Sequence, residues 1–514
     1  MPISRFRYRI SHATFSVVFS VLLFVVCNAL NLGKITQWFH DGDGFDYSAI
    51  LAYLLAGLCL FIVVFILLAH RLTIKLFAIL LTVCSGAVTY FIAKYGVAID
   101  TSMVRNAIHT DPVEVGQLMS AQMVPYVLFL IVLPVIAILL ADITFERPGR
   151  YLLTSLKVFG IALCVALGSL YVEYHAIFRA GNVSNKYIVY YLVPINIISS
   201  SVNVATKELK PYFKRQQKDI QFPAKVTAPG NLVVVLAVGE SSRRKNFSLY
   251  GYDRRDTNPE LRKIEGLQLL NAVATRASTL YALPKILEKD DIKLTTAVSR
   301  AGVPTVCYVY FTLYDNCQAV GEIAAKDCGH GGKCYDEDVI PLFRQDLAKY
   351  TSGYRFVVLH FGGGSHGPVY ADRIPPEFQQ FKPMCTDADV AGKCTLDELY
   401  NAYDNTILYV DHVVAQAIHA LDEAHVPYVF IYLSDHGESL LENGMMFHGV
   451  PPGVSLPEGQ AQIPLIVKSS VPVSILPRAE YGQPDVFDSV LDLFSIEAAK
   501  FDRAGSFIKK APAN

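Results

Sequence analysis

The sequence has little charge and no excess of either sign. Charged residues make up 18% of the 514 positions, and 45 basic side chains nearly balance 46 acidic ones, for a formal net charge of −1. That balance argues against a protein that binds nucleic acid through bulk positive charge. The 33 glycines and 26 prolines are near average usage and follow no period, which excludes collagen-like and low-complexity chains. Hydrophobic residues, at 52%, are too abundant for an ordinary soluble or a disordered protein.

Five long apolar runs within the first 175 residues account for this hydrophobic excess. Each is about 18 to 22 residues long, enough at about 1.5 Å per residue to cross a hydrocarbon core of about 30 Å. The first run is too long for a cleaved signal peptide, and no small-x-small cleavage site follows it. The predicted spans are Ala13–Leu30, Ser48–Ala69, Leu76–Ala93, Met123–Ala141 and Tyr151–Val172. Residues 1–175 are therefore predicted to form a five-helix membrane domain.

The basic residues between the spans predict the orientation of this domain. They lie before the first span, between the second and third, and between the fourth and fifth: Arg5, Arg7, Arg9, Arg71, Lys75, Arg147 and Arg150. The other two loops are poorer in bases and carry several acidic residues. Since basic loops remain in the cytoplasm, the N-terminus is predicted to be inside. Five crossings then place everything after about residue 175 on the far side of the membrane.

The residues after the last span are predicted to form a bridge, 176–231, and an exported domain, 232–514. Within the bridge, Tyr190–Ile198 is aromatic and aliphatic and Lys207–Lys218 is basic. This combination suits a helix that lies on a membrane surface. Two prolines near the end of the bridge mark a linker.

The distribution of the ten cysteines agrees with export. Four lie in the apolar spans, where a free thiol behaves as a small hydrophobic group. The other six lie in the exported part, where an even number at short spacings favours disulfides. The predicted pairs are Cys328–Cys334 and Cys385–Cys394, which leaves Cys307–Cys317. A structural zinc site would require pairs two to four residues apart, and none of these pairs is so spaced.

From Leu232 onward the pattern is typical of an α/β domain. Short runs rich in β-branched and aromatic residues predict strands buried on both faces of a parallel sheet. These runs are Leu232–Val238, Phe356–Phe361, Tyr428–Leu433 and Pro464–Val467. Between them lie helical patterns, most clearly Leu396–Ala424, whose apolar residues recur at three- and four-residue steps. Alternation of strands and helices predicts a three-layer domain.

Polar residues follow three of these strands, where ligands bind in parallel α/β sheets. Gly239-Glu240-Ser241-Ser242 follows the first strand and Ser434-Asp435-His436-Gly437-Glu438 follows the third, while the second ends in His360 and leads into Gly362–Pro368. Two carboxylates and an imidazole at converging strand ends predict a zinc site. A single such motif is more often a hydrogen-bonded turn, but three together favour the metal. From the residues alone, the predicted nucleophile is Ser241 or Ser242.

Several longer motifs extend this pattern over nearly the whole chain. They are Gly239–Arg243, Asn246–Tyr252, Gly364–Pro368, Ser434–Leu440 and Glu442–Gly449, with Tyr95-Gly96-Val97 and the Asn106, Thr110, Glu114 spacing in the membrane part. In these motifs the chain resembles the membrane-bound phosphoethanolamine transferases of Gram-negative bacteria, a family that includes lipid A-modifying and mobile colistin-resistance enzymes.

The resemblance implies a monomeric enzyme of the bacterial inner membrane, with a periplasmic catalytic domain of the alkaline phosphatase and sulfatase fold. Its donor would be the membrane lipid phosphatidylethanolamine, and its acceptor a lipopolysaccharide. Thr279 would be the nucleophile, although a threonine at this point in the sequence also suits a helix N-cap. The implied zinc ligands are Glu240, Thr279, Asp435 and His436. The implied phosphoethanolamine contacts are Asn106, Thr110, Glu114, His366 and His448, and the two histidines are alternatively ligands of a second zinc ion.

The chain departs from the family pattern near its nucleophile and its substrate contacts. The family flanks the nucleophile with cysteines, and here those places hold other residues. The family also has Asp-Asn-x-Ser-Gly-Cys-Lys-Gly, whose serine and lysine contact substrate. In this chain Asp315-Asn316 is followed by Cys317-Gln318-Ala319-Val320, and Lys326 and Lys333 are nearby candidates to replace the lysine. These departures bear chiefly on the identity of the acceptor.

Three classes of function stay open on this reasoning. The first is a phosphoethanolamine transferase whose acceptor is a lipid A phosphate, a core sugar, a periplasmic glucan or a protein. The second is a hydrolase of the same fold, although a sulfatase needs a Cys or Ser followed by Pro and Arg, which Thr279-Leu280-Tyr281 does not supply. The third is an inactive envelope-binding protein, suggested only by the missing serine and lysine.

Overall fold

The fold is that of a computed structural model. It describes residues 8–41, 44–109, 121–184, 187–214, 224–309, 313–317, 320–324, 328, 333–367, 369–450, 455–498, 501 and 503–510. The chain divides after residue 216 into two compact units, an N-terminal helical unit and a C-terminal α/β unit.

The N-terminal unit contains the five helices that the hydropathy pattern predicts. They are His12–Leu30 (α1), Tyr47–Leu68 (α2), Ile74–Tyr95 (α3), Met123–Leu140 (α5) and Pro148–Val172 (α6), with Thr101–His109 (α4) between the third and fourth spans. Each of the five is at least 18 residues long and apolar enough to cross a membrane. The predicted spans are confirmed as helices to within a few residues at each end.

Local sequence signals determine where these helices begin and end. The hydroxyl of Ser11 accepts the Thr14 N–H at the start of α1, and the Asp46 carboxylate accepts the Ala49 N–H at the start of α2. Helix α3 ends at Gly96, whose φ of 68° lies in the left-handed region that glycine adopts without strain.

Two further helices, Tyr174–Val183 (α7) and Ile195–Lys214 (α8), follow the last span. A buried asparagine connects the segment between them to α1. The Asn28 side chain donates to the Val193 carbonyl at 2.6 Å and accepts the Val193 N–H at 3.0 Å. The basic stretch predicted to lie on a membrane surface begins in α8, and its placement beside a membrane stays a prediction.

The C-terminal unit is built on an eight-stranded sheet. Its strands in chain order are Leu232–Gly239 (β1), Gln268–Val273 (β2), Thr305–Val309 (β3), Glu322–Ala324 (β4), Tyr354–Phe361 (β5), Tyr428–Ser434 (β6), Gln462–Ser469 (β7) and Tyr481–Gly482 (β8). Their order across the sheet is β4-β3-β5-β1-β6-β7-β2-β8. The first five strands in that order, β4 to β6, are parallel, which confirms the prediction for β1, β5 and β6, whereas β3 and β4 were not predicted.

The prediction that the fourth apolar run joins this parallel set is wrong. Strand β7, which contains it, runs antiparallel to β6, with Leu433 opposite Leu465. A parallel neighbour would need a crossover that returns the chain to the other end of the sheet. The described residues between β6 and β7 contain only short turns, two-residue strands, a three-residue 3-10 helix and a four-residue α-helix, so the chain re-enters from the same edge.

Helices cover both faces of the sheet, which confirms the three-layer prediction. Helices Val339–Leu347 (α11) and Leu396–Glu423 (α12) pack against one face, and Thr279–Leu287 (α9), Leu294–Arg300 (α10) and Asp485–Leu493 (α13) against the other. Alternate residues of β1 point to opposite layers: Val233, Val235 and Ala237 to the first, Leu232, Val234 and Leu236 to the second. Because β1 is buried on both faces, its sequence is almost continuously apolar.

The cysteine pairing is confirmed in full. The α/β unit contains the three predicted disulfides, and the four cysteines in the apolar helices are free thiols. The disulfides are Cys307–Cys317, Cys328–Cys334 and Cys385–Cys394.

Candidate active site

The site lies at the carboxyl edge of the central strands. Strand β1 is flanked by β5 and β6, and its last residue, Gly239, is in register with Phe361 on one side and Ser434 on the other. Glu240 and Asp435 directly follow two of these strand ends. The three segments that the sequence places after separate strands are therefore adjacent in the folded chain.

Glu240, Asp435 and His436 form a buried cluster with the geometry of a metal site. His436 Nε2 lies 3.3 Å from Asp435 Oδ2 and 3.5 Å from Glu240 Oε1. One ligand atom from each of the three lies within 4.8 Å of the others. Asp435 Oδ2 and His436 Nε2 are buried without a hydrogen-bond partner. A buried polar atom left unpaired is costly, and a cation between these atoms would satisfy both, so the residues present fit a metal ion.

Hydrogen bonds orient the two unpaired atoms toward this point. His436 Nδ1 lies 2.9 Å from the Gly437 carbonyl oxygen, which can only accept, so Nδ1 is the donor and Nε2 presents its lone pair. The other carboxylate oxygen of Asp435 accepts the Ser241 N–H at 3.0 Å and the N–H of His436 at 2.7 Å. Oδ2 of Asp435 is thereby left for a ligand.

Thr279 lies beside the same cluster. Its hydroxyl Oγ1 donates to Glu240 Oε2 at 2.9 Å. The alternative interpretation of Thr279 as a helix N-cap is wrong by one position. The N-cap of α9 is Ser278, and Thr279 is the first residue of the helix. The hydroxyl therefore lies at the positive end of the helix dipole, where an anionic group is stabilised.

The two serines that the residues alone favoured as nucleophiles are committed to other bonds. The Ser241 hydroxyl donates to Glu240 Oε1 at 2.7 Å, and the Ser242 hydroxyl donates to the Glu240 carbonyl oxygen at 3.3 Å. Both side chains are buried. Their positions make them supports for Glu240 rather than attacking groups.

A second group of titratable side chains adjoins the first. The ring centroids of His366 and His448 are 5.0 Å apart, and those of His436 and His448 are 4.3 Å apart. Glu438 accepts from His448 Nδ1 at 2.8 Å and, with His436 and His448, forms another possible metal-binding set. Sequence reasoning gave Glu438 no role, although its place two residues after His436 was a usable signal.

The pKa values of the carboxyl groups in the site are shifted in opposite directions by their surroundings. Burial acts to raise the pKa of Glu240, but His436, His366 and His448 outweigh it, so the pKa is lowered. Burial and the charge of Glu240 raise the pKa of Asp435 above its ordinary value. Burial also raises the pKa of Glu438, to about 8. Groups of like charge crowded in this way are stabilised when a cation is shared between them.

Comparison with known proteins identifies the family. The family described as "Phosphoethanolamine transferase EptA/EptB" matches residues 57–209, and the sulfatase family matches residues 292–496. Phosphoethanolamine transferase EptA from Escherichia coli K12 is 31% identical, with 84% of each protein covered. The chain belongs to the phosphoethanolamine transferase family. Phosphatidylethanolamine transferase Mcr-1 from Escherichia coli is also similar, at 28% identity with 98% of each chain covered.

The similarity to a solved member of this transferase family extends over both units. The integral membrane lipooligosaccharide phosphoethanolamine transferase A (EptA) of Neisseria meningitidis superposes with a TM-score of 0.84 at 25% identity, covering 98% of this chain and all of that one. Its soluble domain alone superposes with a TM-score of 0.50 at 28% identity. The predicted combination of apolar N-terminal helices with a sulfatase-like domain is therefore confirmed for this transferase.

The predicted membrane-side contacts of the transferase fall mostly outside the described residues. Asn106 belongs to helix α4, whereas Thr110 and Glu114 lie outside the described residues, as does Lys326. Their proposed roles stay predictions. Lys333, the other candidate to replace the family lysine, donates to the Asp372 carbonyl oxygen and lies 5.0 Å from the ring centroid of Tyr335.

Proposed function

We propose that this chain transfers phosphoethanolamine from phosphatidylethanolamine to a lipopolysaccharide acceptor, either lipid A or a core sugar. The observation that carries the proposal is the Thr279 hydroxyl, 2.9 Å from Glu240 in a cluster of metal-ligand type. Membership of the transferase family supports the reaction class. The acceptor class is supported by the similar Neisseria enzyme, which is named as a lipooligosaccharide transferase.

Zinc is the metal we propose for the cluster, held by Glu240, Thr279, Asp435 and His436. Carboxylate and imidazole side chains are both zinc ligands, so these residues would hold the ion. A zinc ion bound there would lower the pKa of the threonine hydroxyl and offset the negative charge that collects in the transition state. Since Asp435 Oδ2 and His436 Nε2 are otherwise unpaired, their orientation supports this assignment.

Thr279 attacks the phosphorus of the donor in line. Its Oγ1 proton leaves on the side of Glu240 Oε2, with which it is already hydrogen-bonded. A bond forms between Oγ1 and phosphorus, the bond from phosphorus to the diacylglycerol oxygen breaks, and that oxygen takes up the proton released by Thr279 as diacylglycerol departs. His366 and His448 hold the phosphoryl oxygens, together with the N-terminus of α9.

The acceptor completes the cycle by a second displacement. Its hydroxyl or phosphate oxygen attacks the phosphorus of the phosphoethanolamine group on Thr279, the bond from phosphorus to Oγ1 breaks, and Oγ1 takes up the proton that the acceptor oxygen loses. Asn106, Thr110 and Glu114 are proposed to bind the donor headgroup on the membrane side. The enzyme would act as a monomer in the bacterial inner membrane, with its α/β unit in the periplasm.

Mass spectrometry of envelope glycolipids from otherwise identical cells with and without the chain tests this proposal. We expect a gain of one phosphoethanolamine unit on lipid A or the core in the presence of the intact chain, and no gain with Thr279→Ala. Modification of a periplasmic glucan or a protein instead would retain the chemistry and change the acceptor. Release of free phosphoethanolamine with no modified acceptor would favour a hydrolase of the same fold.

A further inference from the structure

The turn that presents Glu240 has a strained backbone. Ser241, the next residue, has a φ of 55°, in the left-handed region that a residue with a side chain rarely adopts. Such a conformation persists only where the surroundings determine it, and it occurs most often at functional sites. The position of the Glu240 carboxylate therefore depends on the groups that hold this turn.

One of these groups comes from the long helix rather than from the strand ends. The hydroxyl of Tyr403, on α12, donates to the Ser241 carbonyl oxygen at 2.7 Å and accepts the Arg243 N–H at 2.9 Å. One oxygen atom thus connects two backbone groups on either side of Ser242, directly after the strained φ of Ser241. Tyr403 is completely buried, so water cannot replace its hydroxyl.

The turn that Tyr403 bridges is also bonded to the loop that carries His366. The hydroxyl of Ser365 lies 3.1 Å from that of Ser242. The Ser365 N–H donates to the Glu240 carbonyl oxygen at 3.3 Å. Tyr403 therefore holds a turn that is itself hydrogen-bonded to the second segment of the site.

Packing alone does not explain a tyrosine at this position. The helical pattern places residue 403 on the apolar face of α12, and its ring packs edge-on against Tyr370 with centroids 5.4 Å apart. A phenylalanine would make the same ring contact. The hydroxyl is explained by its two hydrogen bonds to the backbone of Ser241 and Arg243.

We propose that Tyr403 is a positioning residue, which holds Glu240 in the geometry of the metal site by bridging the strained turn at Ser241. It touches neither substrate nor metal. The inference rests on the proposed zinc function. Groups that orient metal ligands without contacting the metal typically change metal affinity by about 10- to 100-fold when they are removed.

Zinc affinity of the full-length protein tests this role. Metal-free Tyr403→Phe would be titrated in detergent against a chromogenic chelator. The control is Tyr428→Phe at the start of β6, the end of the strand away from the site. This change also removes a buried tyrosine hydroxyl, which is bonded to Asp422 of α12. We expect zinc affinity to fall by about 10- to 100-fold in Tyr403→Phe only. Thermal unfolding of both metal-free variants measures the structural cost, which should be similar.

A Ser241→Gly background tests the strained turn itself. Glycine adopts a φ near +55° freely, so the Tyr403→Phe change should lower zinc affinity less in that background than in the wild-type chain. The same background serves if the single variant does not fold. Equal zinc affinities in Tyr403→Phe and Tyr428→Phe would overturn the role of Tyr403 while leaving the zinc proposal intact. A wild-type protein that binds no zinc would overturn both proposals.

Discussion

Replacement of Thr279 by alanine should separate catalysis from folding. The threonine hydroxyl donates its hydrogen bond to Glu240, and the cap of α9 belongs to Ser278 instead. Losing a hydrogen bond to a charged group costs roughly 1.5 to 3 kcal/mol at most, and partial exposure reduces that figure. We expect a decrease of a few degrees in the unfolding midpoint. Without its nucleophile, the enzyme should lose at least about 10⁴-fold in transfer rate.

The assay follows the conversion of a fluorescent phosphatidylethanolamine to diacylglycerol by the purified full-length protein. Thr279→Ser, which keeps the oxygen, should retain measurable turnover. Thr305→Ala is the matched control, because it removes a threonine hydroxyl that donates to the Val303 carbonyl oxygen at 3.0 Å, at the amino end of β3 and away from the edge that carries the site. If Thr279→Ala kept activity within about tenfold of the wild type, the nucleophile would have to be another group and the mechanism would be wrong.

Three further changes probe the surroundings of the site. Glu240→Gln preserves the shape of the side chain but removes its charge. The affinity of the protein for zinc, measured by chelator competition, should therefore fall by at least about 100-fold. Gly239→Ala should destabilise the α/β unit by about 1 to 3 kcal/mol in denaturant unfolding, since its Cβ would lie 2.5 Å from the Tyr432 hydroxyl. Burial raises the pKa of Asp411 to about 7, above its value in an unfolded chain, so its contribution to stability falls as pH rises from about 4 to 7. The unfolding midpoint of Asp411→Asn relative to wild type should therefore be higher at about pH 8 than at about pH 5, and an unchanged difference would contradict that pKa.

Much of the architecture could be predicted because its signals are local. A membrane span needs about twenty consecutive apolar residues, and each of the five runs meets that condition by itself. Strand β1 is buried on both faces, so its continuous apolar run identifies it without reference to any partner. The residues that follow β1 and β6 meet because adjacent parallel strands end at the same edge, and this topological rule requires only that the strands be neighbours.

Other features depend on long-range contacts that leave no local pattern. Tyr403 occupies an apolar position in the helical repeat, and nothing in its neighbourhood along the chain indicates that its hydroxyl reaches Ser241. The role of Glu438 depends on its distance from His448, which is fixed by the fold of the intervening loop. Whether Ser278 or Thr279 is the N-cap of α9 depends on backbone angles rather than on residue type, since both residue types suit the position.

The direction of β7, which the sequence did not predict, contributes to the site. An antiparallel strand begins at the edge where its parallel neighbours end, so the residues before β7 lie beside the loop that follows β6. The backbone carbonyl of Gln460 accepts the Gly437 N–H at 2.9 Å, and its side chain donates to the Ser439 hydroxyl at 2.8 Å and accepts the Gly449 N–H at 3.3 Å. A parallel β7 would place Gln460 at the opposite edge of the sheet. The loop that carries His436 and His448 would then lack these supports, so the reversed strand is part of what orients the two imidazoles.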